Sequence, residues 1–187
     1  MNHQLFIEAA HKMAVEHGFW DTMNTSEHCV MLVLTEVAEM VEADRKGRRA
    51  NLEEYERRAG AIDGTFTGTL PTISVAWFKD TIKDTLEDEM ADIAIRLYDL
   101  GGAIGLVLDK YKAINYNREF DKFDFCENAF ALSKGLCNTQ YYIEKRIAFG
   151  LKFVRMWAEH MNVDLEKHIM LKMAFNATRG NKHGKKY

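Results

Sequence analysis

The chain has 187 residues, 47% hydrophobic and 28% charged, which is enough apolar side chain to build a core unaided and excludes disordered and fibrous classes. Lys plus Arg total 25 and Asp plus Glu 28, a formal charge of -3, so bulk electrostatics give no reason to expect a nucleic-acid polymer as partner. One proline, Pro71, interrupts the chain, as an all-α protein would allow.

Leu5, Phe6, Ala9, Ala10, Met13 and Ala14 recur at three-and-four spacing and predict a first helix that Gly18 stops. Phe19 and Trp20 begin a connection, and Thr25 or Ser26 caps a second helix, HCVMLVLTEVAEMVEADRKG, which ends at Gly47. Residues 48–76 change character. RRANLEEYERR predicts a short helix, and the Gly/Thr-rich stretch that follows predicts a long mobile loop around 59–76. From Trp77 to Leu108, Phe78, Ile82, Leu86, Met90, Ile93, Leu97 and Leu100 form one stripe, which predicts a single long helix weakened at its end by Gly101, Gly102 and Gly105.

After the polar link YKAINYNREFDKFDF, helices are expected over 127–136 and 139–161, and Asp164 opens a last helix reaching Arg179. No internal repeat or linker divides the chain, so residues 1–187 are expected to form one helical bundle. Cys29, Cys126 and Cys137 lack CxxC spacing and read as reduced, buried thiols. The charged N-terminus lacks the apolar core of a signal peptide and no run approaches a membrane span, so a cytoplasmic protein without a membrane partner is expected.

Glu36 and Glu39 lie three apart among Val, Leu, Met and Ala, so they project from one face of the second helix; Glu42 extends the row. Glu89 and Asp92 repeat the arrangement in the later helix. Like charges this close cost free energy unless a cation or proton neutralises them. If the two helices pack antiparallel, four carboxylates converge into an oxygen cage suited to Mg²⁺ or Mn²⁺ rather than zinc. The bland reading is that these acids are solvated surface groups. A di-iron carboxylate bundle needs Glu-x-x-His on two helices, and only Glu8 and His11 supply it.

The last predicted helix places Lys172, Asn176 and Arg179 along one side, a pattern fitting a polyphosphate clamp; Lys182, His183, Lys185 and Lys186 add positive charge beyond it. Basic residues also favour helix C-termini for dipole reasons alone. Acids for a divalent metal combined with cations for phosphates are what a nucleoside triphosphate requires.

Three segments in order, LTEVAEMVEADRKG, EDEMADIAIRLYDLGGAIGLVLD and KMAFNATRGNKHGKK, together with GFWD near the start, resemble the all-α nucleoside triphosphate pyrophosphohydrolase superfamily, the MazG-like and dimeric-dUTPase-like enzymes. The resemblance implies a MazG-like helical bundle and Mg²⁺ held by Glu36, Glu39, Glu89 and Asp92. It further implies hydrolysis of a (deoxy)nucleoside triphosphate to the monophosphate and pyrophosphate, as in nucleotide-pool house-cleaning, and a homodimer or higher homo-oligomer. Lys172, Asn176, Arg179 and Lys185 become candidates for substrate binding, and Trp20 either stacks on the base or packs. Two departures stand out: the spacer between Glu39 and Glu89 is longer than compact members carry, and Gly180 stands where relatives often have proline.

The mechanism expected from these residues is metal-assisted attack of water on phosphorus, with Glu39 and Glu36 as catalytic candidates and Glu39 or Glu42 orienting or deprotonating the water. The competing readings are a non-catalytic helical dimerisation module and a nucleotide sensor without turnover.

Overall fold

The computed structural model describes residues 1–62, 64–111 and 116–184, and every regular element among them is helical, as the composition requires of an all-α chain. Helix α1 (His3–Glu16) is followed by α2 (Ser26–Arg45), whose N-cap Thr25 accepts the backbone N–H of His28 at 3.1 Å. Short helices α3 (Leu52–Ala59) and α4 (Val75–Thr81) precede the central α5 (Leu86–Ala103). Helices α6 (Phe125–Leu136), α7 (Ile143–His160) and α8 (Leu165–Ala177) complete the set.

Helix α5 packs against α1, α2, α7 and α8, so it is buried on nearly every side, and the charges it carries are interior charges. The core joins Phe6, Val33, Met40, Met90, Leu97 and Phe153 from its surrounding helices. Helix α2 runs antiparallel to α5: Leu86 N–H donates to Arg48 O at 3.1 Å at one end, and Glu36 meets Arg96 further along. A second, smaller apolar cluster of Tyr55, Phe78, Ile82, Leu171 and Phe175 ties α3 and α4 to α8.

The long helix expected over 77–108 is broken. Asp84 adopts a left-handed φ of 59°, and Thr85 caps a new start by accepting the N–H of Asp88. The apolar stripe stays in phase across Ile82 and Leu86, which hides the break, whereas Thr85 followed three residues later by Asp88 is a capping signature inside it. The break has a consequence for the site: it puts Glu87, Asp88 and Glu89 in the first turn of α5, where the helix dipole favours carboxylates.

Other expectations shift less. Helix α7 begins at Ile143 rather than Thr139, after a turn in which Asn138 Oδ1 accepts the N–H of Gln140, and α6 starts earlier, on a capping box of Asp124 and Glu127. Asp164 caps α8 through the N–H of Lys167, without a reciprocal acid. The loop after α3 is pinned at Phe66, which is buried, stacks on Phe6 at 4.5 Å and donates its N–H to Glu166 Oε1. Buried thiols are not found: Cys126 and Cys137 are exposed on or beside α6 and Cys29 is half-buried. No helix among the described residues is long and apolar enough to cross a membrane.

Candidate functional site

Antiparallel packing of α2 on α5 brings Glu36, Glu89 and Asp92 together, with one carboxylate oxygen of each within 4.8 Å of the others. Glu36 and Glu89 are buried, and Asp92 is partly open. Glu39, the fourth expected ligand, is exposed and does not join this convergent group, but it stands one turn beyond Glu36 and raises that carboxyl's pKa slightly. It carries no hydrogen bond or ion pair among the described residues, whereas Glu42 is engaged at 2.9 Å by both Arg45 and Lys46.

Two cations already serve this acidic cluster. Arg96 Nε donates to Glu36 Oε1 at 2.5 Å, and Lys172 Nζ donates to Asp88 Oδ2 at 2.6 Å and Asp92 Oδ2 at 2.8 Å. Four carboxylates therefore face two cations, leaving two formal negative charges. Burial pushes the Glu89 carboxyl up to about 8, opposed chiefly by Lys172, so without another cation this group holds its proton at neutral pH. Burial likewise raises Asp88 to about 6, still below neutrality, and raises Glu36 against the pull of Arg96. Although burial acts to lower Lys172, Asp92 and Asp88 hold it well above the ordinary lysine range.

The donor set fits a hard divalent ion. Glu89 Oε2 is buried with no hydrogen-bond partner among the described residues. Glu36 and Asp92 each use one oxygen on a cation, so each keeps a second oxygen without a protein partner among the described residues. Such an all-oxygen set favours magnesium or manganese over zinc.

Glu36 and Asp92 also line a cavity of about 110 Å³ between α1, α2 and α5, whose walls include Trp20, Cys29, Ile95 and Asp99. Asn176 and Arg179 from the C-terminal end line it too. Trp20 is fixed there by donating its Nε1–H to Asp99 Oδ1 at 2.9 Å, and His11 Nδ1 lies 2.8 Å from the same oxygen. Burial raises the Asp99 carboxyl, with both ring partners pulling the other way. The C-terminal end is held against α1: His17 Nε2 lies 3.1 Å from Arg179 O, and Lys182 N–H donates to His17 O at 2.8 Å. Gly18 permits this turn with φ of +76°, and a Cβ there would meet Asn181 Oδ1 at 2.3 Å.

The basic stripe divides. Arg179 reaches the cavity, and its hydrogen bonds among the described residues are long, 3.4 Å to Asn176 Oδ1 and to His183 O, so its guanidinium is lightly tied. Lys172, by contrast, is 5% exposed and committed to Asp88 and Asp92, so it supports the acidic cluster instead of standing free for phosphate. Lys185 lies outside the described residues.

Arg96, Asp99 and Asp88 were not among the sequence candidates. Their signal was present: Asp88, Asp92, Arg96 and Asp99 recur at four, four and three residues along an otherwise apolar helix. Comparison of the chain with family models, curated proteins and solved structures returns no match.

Proposed function

We propose that this chain is a Mg²⁺-dependent nucleoside triphosphate pyrophosphohydrolase of the MazG-like type, releasing a nucleoside monophosphate and pyrophosphate. The observation that supports it most is the meeting of Glu36, Glu89 and Asp92 at the edge of the cavity that Trp20, Asn176 and Arg179 share. Glu36, Glu89 and Asp92 would hold the ion, which when bound supplies charge neutralisation at the phosphoryl oxygens. Manganese could replace magnesium in the same oxygen set.

The residues of the chain then have separable tasks. Arg179 can hold phosphate oxygens with two donors, and Asn176 can add an amide hydrogen bond. Glu39, exposed and unpaired among the described residues, is the carboxylate free to take a proton from the attacking water. The water oxygen bonds to phosphorus, the anhydride P–O bond breaks, and its electron pair leaves with pyrophosphate. Arg96 and Lys172 pair with Glu36, Asp88 and Asp92 and hold them in place before substrate arrives. As the sequence resemblance implies, a homodimer or larger homo-oligomer is the expected assembly.

The test is pyrophosphate release from a panel of nucleoside triphosphates with Mg²⁺, with EDTA, and with Glu89→Gln. Because Glu89 holds its proton at neutral pH without metal, the glutamine variant should fold normally in EDTA yet lose both turnover and the thermal stabilisation by Mg²⁺. Stabilisation by nucleotide without pyrophosphate release would mark a sensor. Neither effect in folded protein would leave a non-catalytic helical module.

A further inference from the structure

We infer that Asp99 is the specificity-determining acceptor of the cavity and selects ligands whose ring carries an amino group over those with a keto group at the same position. This rests on the nucleotide reading above and names the substrate class within it.

The cavity joins apolar walls, with Ala10, Met13, Phe19, Leu32 and Ile95 among them, to polar side chains that carry the discrimination. Asp99 comes from the buried helix α5. Its Oδ1 receives Trp20 Nε1–H at 2.9 Å and is 2.8 Å from His11 Nδ1, which fixes the carboxylate plane from two sides. Its Oδ2 has no protein partner among the described residues.

The donors that meet Asp99 Oδ1 are engaged by it. The Trp20 and His11 ring nitrogens are both engaged with Asp99, and Asn24 Nδ2 donates to Phe19 O at 2.9 Å. Asn24 also lines the cavity, and its side-chain oxygen has no hydrogen-bond partner among the described residues. Arg96 is held through Nε by Glu36 at 2.5 Å, while Arg179 and the amide nitrogen of Asn176 stay donors for the phosphates. A ring entering beside Trp20 thus meets Asp99 Oδ2 as its nearest acceptor.

An ionised carboxylate accepts and cannot donate. An exocyclic amine of cytosine or adenine gives Asp99 a charge-assisted hydrogen bond. The oxygen of uracil or hypoxanthine at the equivalent ring position would set two acceptors against each other and strand both. A hydrogen bond to a charged group contributes about 2 kcal/mol, so a preference of about 30-fold is the expected minimum.

The experiment compares kcat/KM for dCTP against dUTP and for dATP against dITP, pairs that differ in amine or keto but share ring size, in wild type and Asp99→Asn. In the variant the amide oxygen can keep the Trp20 and His11 bonds while its NH₂ replaces Oδ2, turning the acceptor into a donor. The expected result is an amino preference of at least about 30-fold in wild type, lowered at least tenfold or inverted by Asp99→Asn. Turnover of both members at equal efficiency, or a ratio that Asp99→Asn leaves unchanged, overturns the role of Asp99 while leaving the hydrolase reading standing. Should Asp99→Asn fail to fold, calorimetric binding of dCTP and dUTP to wild type in EDTA decides, equal affinities overturning the inference. Absence of both binding and turnover with every triphosphate overturns the nucleotide reading and this inference together.

Discussion

Lys172 Nζ lies 2.6 Å from Asp88 Oδ2, and the Asp88 side chain is completely buried. The same ammonium lies 2.8 Å from Asp92 Oδ2, so one lysine on α8 satisfies two acids on α5. This pairing reassigns a residue whose spacing with Asn176 and Arg179 suggests a phosphate contact. It also explains how four acids can sit inside a helical core in the absence of substrate.

Removing the lysine should therefore damage folding first. Lys172→Met leaves Asp88 and Asp92 uncompensated in the interior, where breaking a buried pair costs about 3–5 kcal/mol. Urea unfolding should show that loss, and adding Asp88→Asn to Lys172→Met should recover part of it. A Lys172→Met protein of unchanged stability but raised KM would return Lys172 to the phosphate clamp.

How much of this was legible follows from which signals are local. The Glu36 and Glu89–Asp92 elements could be placed because acids among apolar residues at helical spacing stand out in one dimension. Their convergence needed only antiparallel packing of α2 and α5. The break at Asp84–Thr85 was masked because the apolar period continues through it, although the Thr85 cap was there to read. The partners of the acids were illegible for a different reason. Lys172 meets Asp88 across 84 positions and His11 meets Asp99 across 88, and no periodicity in a single helix encodes which charges a fold will pair. Glu39 illustrates the converse: the three-residue spacing puts it near Glu36, but the edge of α2 leaves it in solvent.

A second prediction concerns acid stability. His168 on α8 is 3% exposed and its Nδ1 lacks a hydrogen-bond partner among the described residues. Burial lowers it to about 4, outweighing Glu87 and Asp164, which act to raise it. The unfolded chain takes up this proton as pH falls below about 6.5, whereas the folded chain resists until about pH 4. Stability from this group is thus fully present above pH 6.5 and is lost as pH falls toward 4, by about 3 kcal/mol in all. His3, also lowered by burial, adds in the same direction. Urea midpoints measured between pH 7.5 and 4.5 should fall more steeply for wild type than for His168→Gln; parallel curves would show that His168 is not the group responsible.

The third prediction tests the contact that sets the cavity's geometry. A Cβ on Gly102 of α5 would lie 2.3 Å from the Cβ of His11 on α1 and 3.2 Å from Ile7 O. In an exposed helix, Gly→Ala gains about 1 kcal/mol of helix propensity. Here the gain is outweighed, because the clash is with atoms fixed to the α1 backbone, and no side-chain rotation relieves it. Gly102→Ala should therefore destabilise by about 1–3 kcal/mol, the usual cost of overpacking. As α1 moves away, the His11 contact to Asp99 lengthens, and Asp99 is held by Trp20 alone, so Trp20 fluorescence should shift along with the melting temperature. Gly180→Ala is the control: a Cβ there meets nothing within 4 Å and its φ is not positive, so it should melt at or slightly above wild type. A Gly102→Ala protein that melts with the control would mean that α1 and α5 can separate at no cost, and the fixed carboxylate on which the cavity's selectivity depends would lose its support.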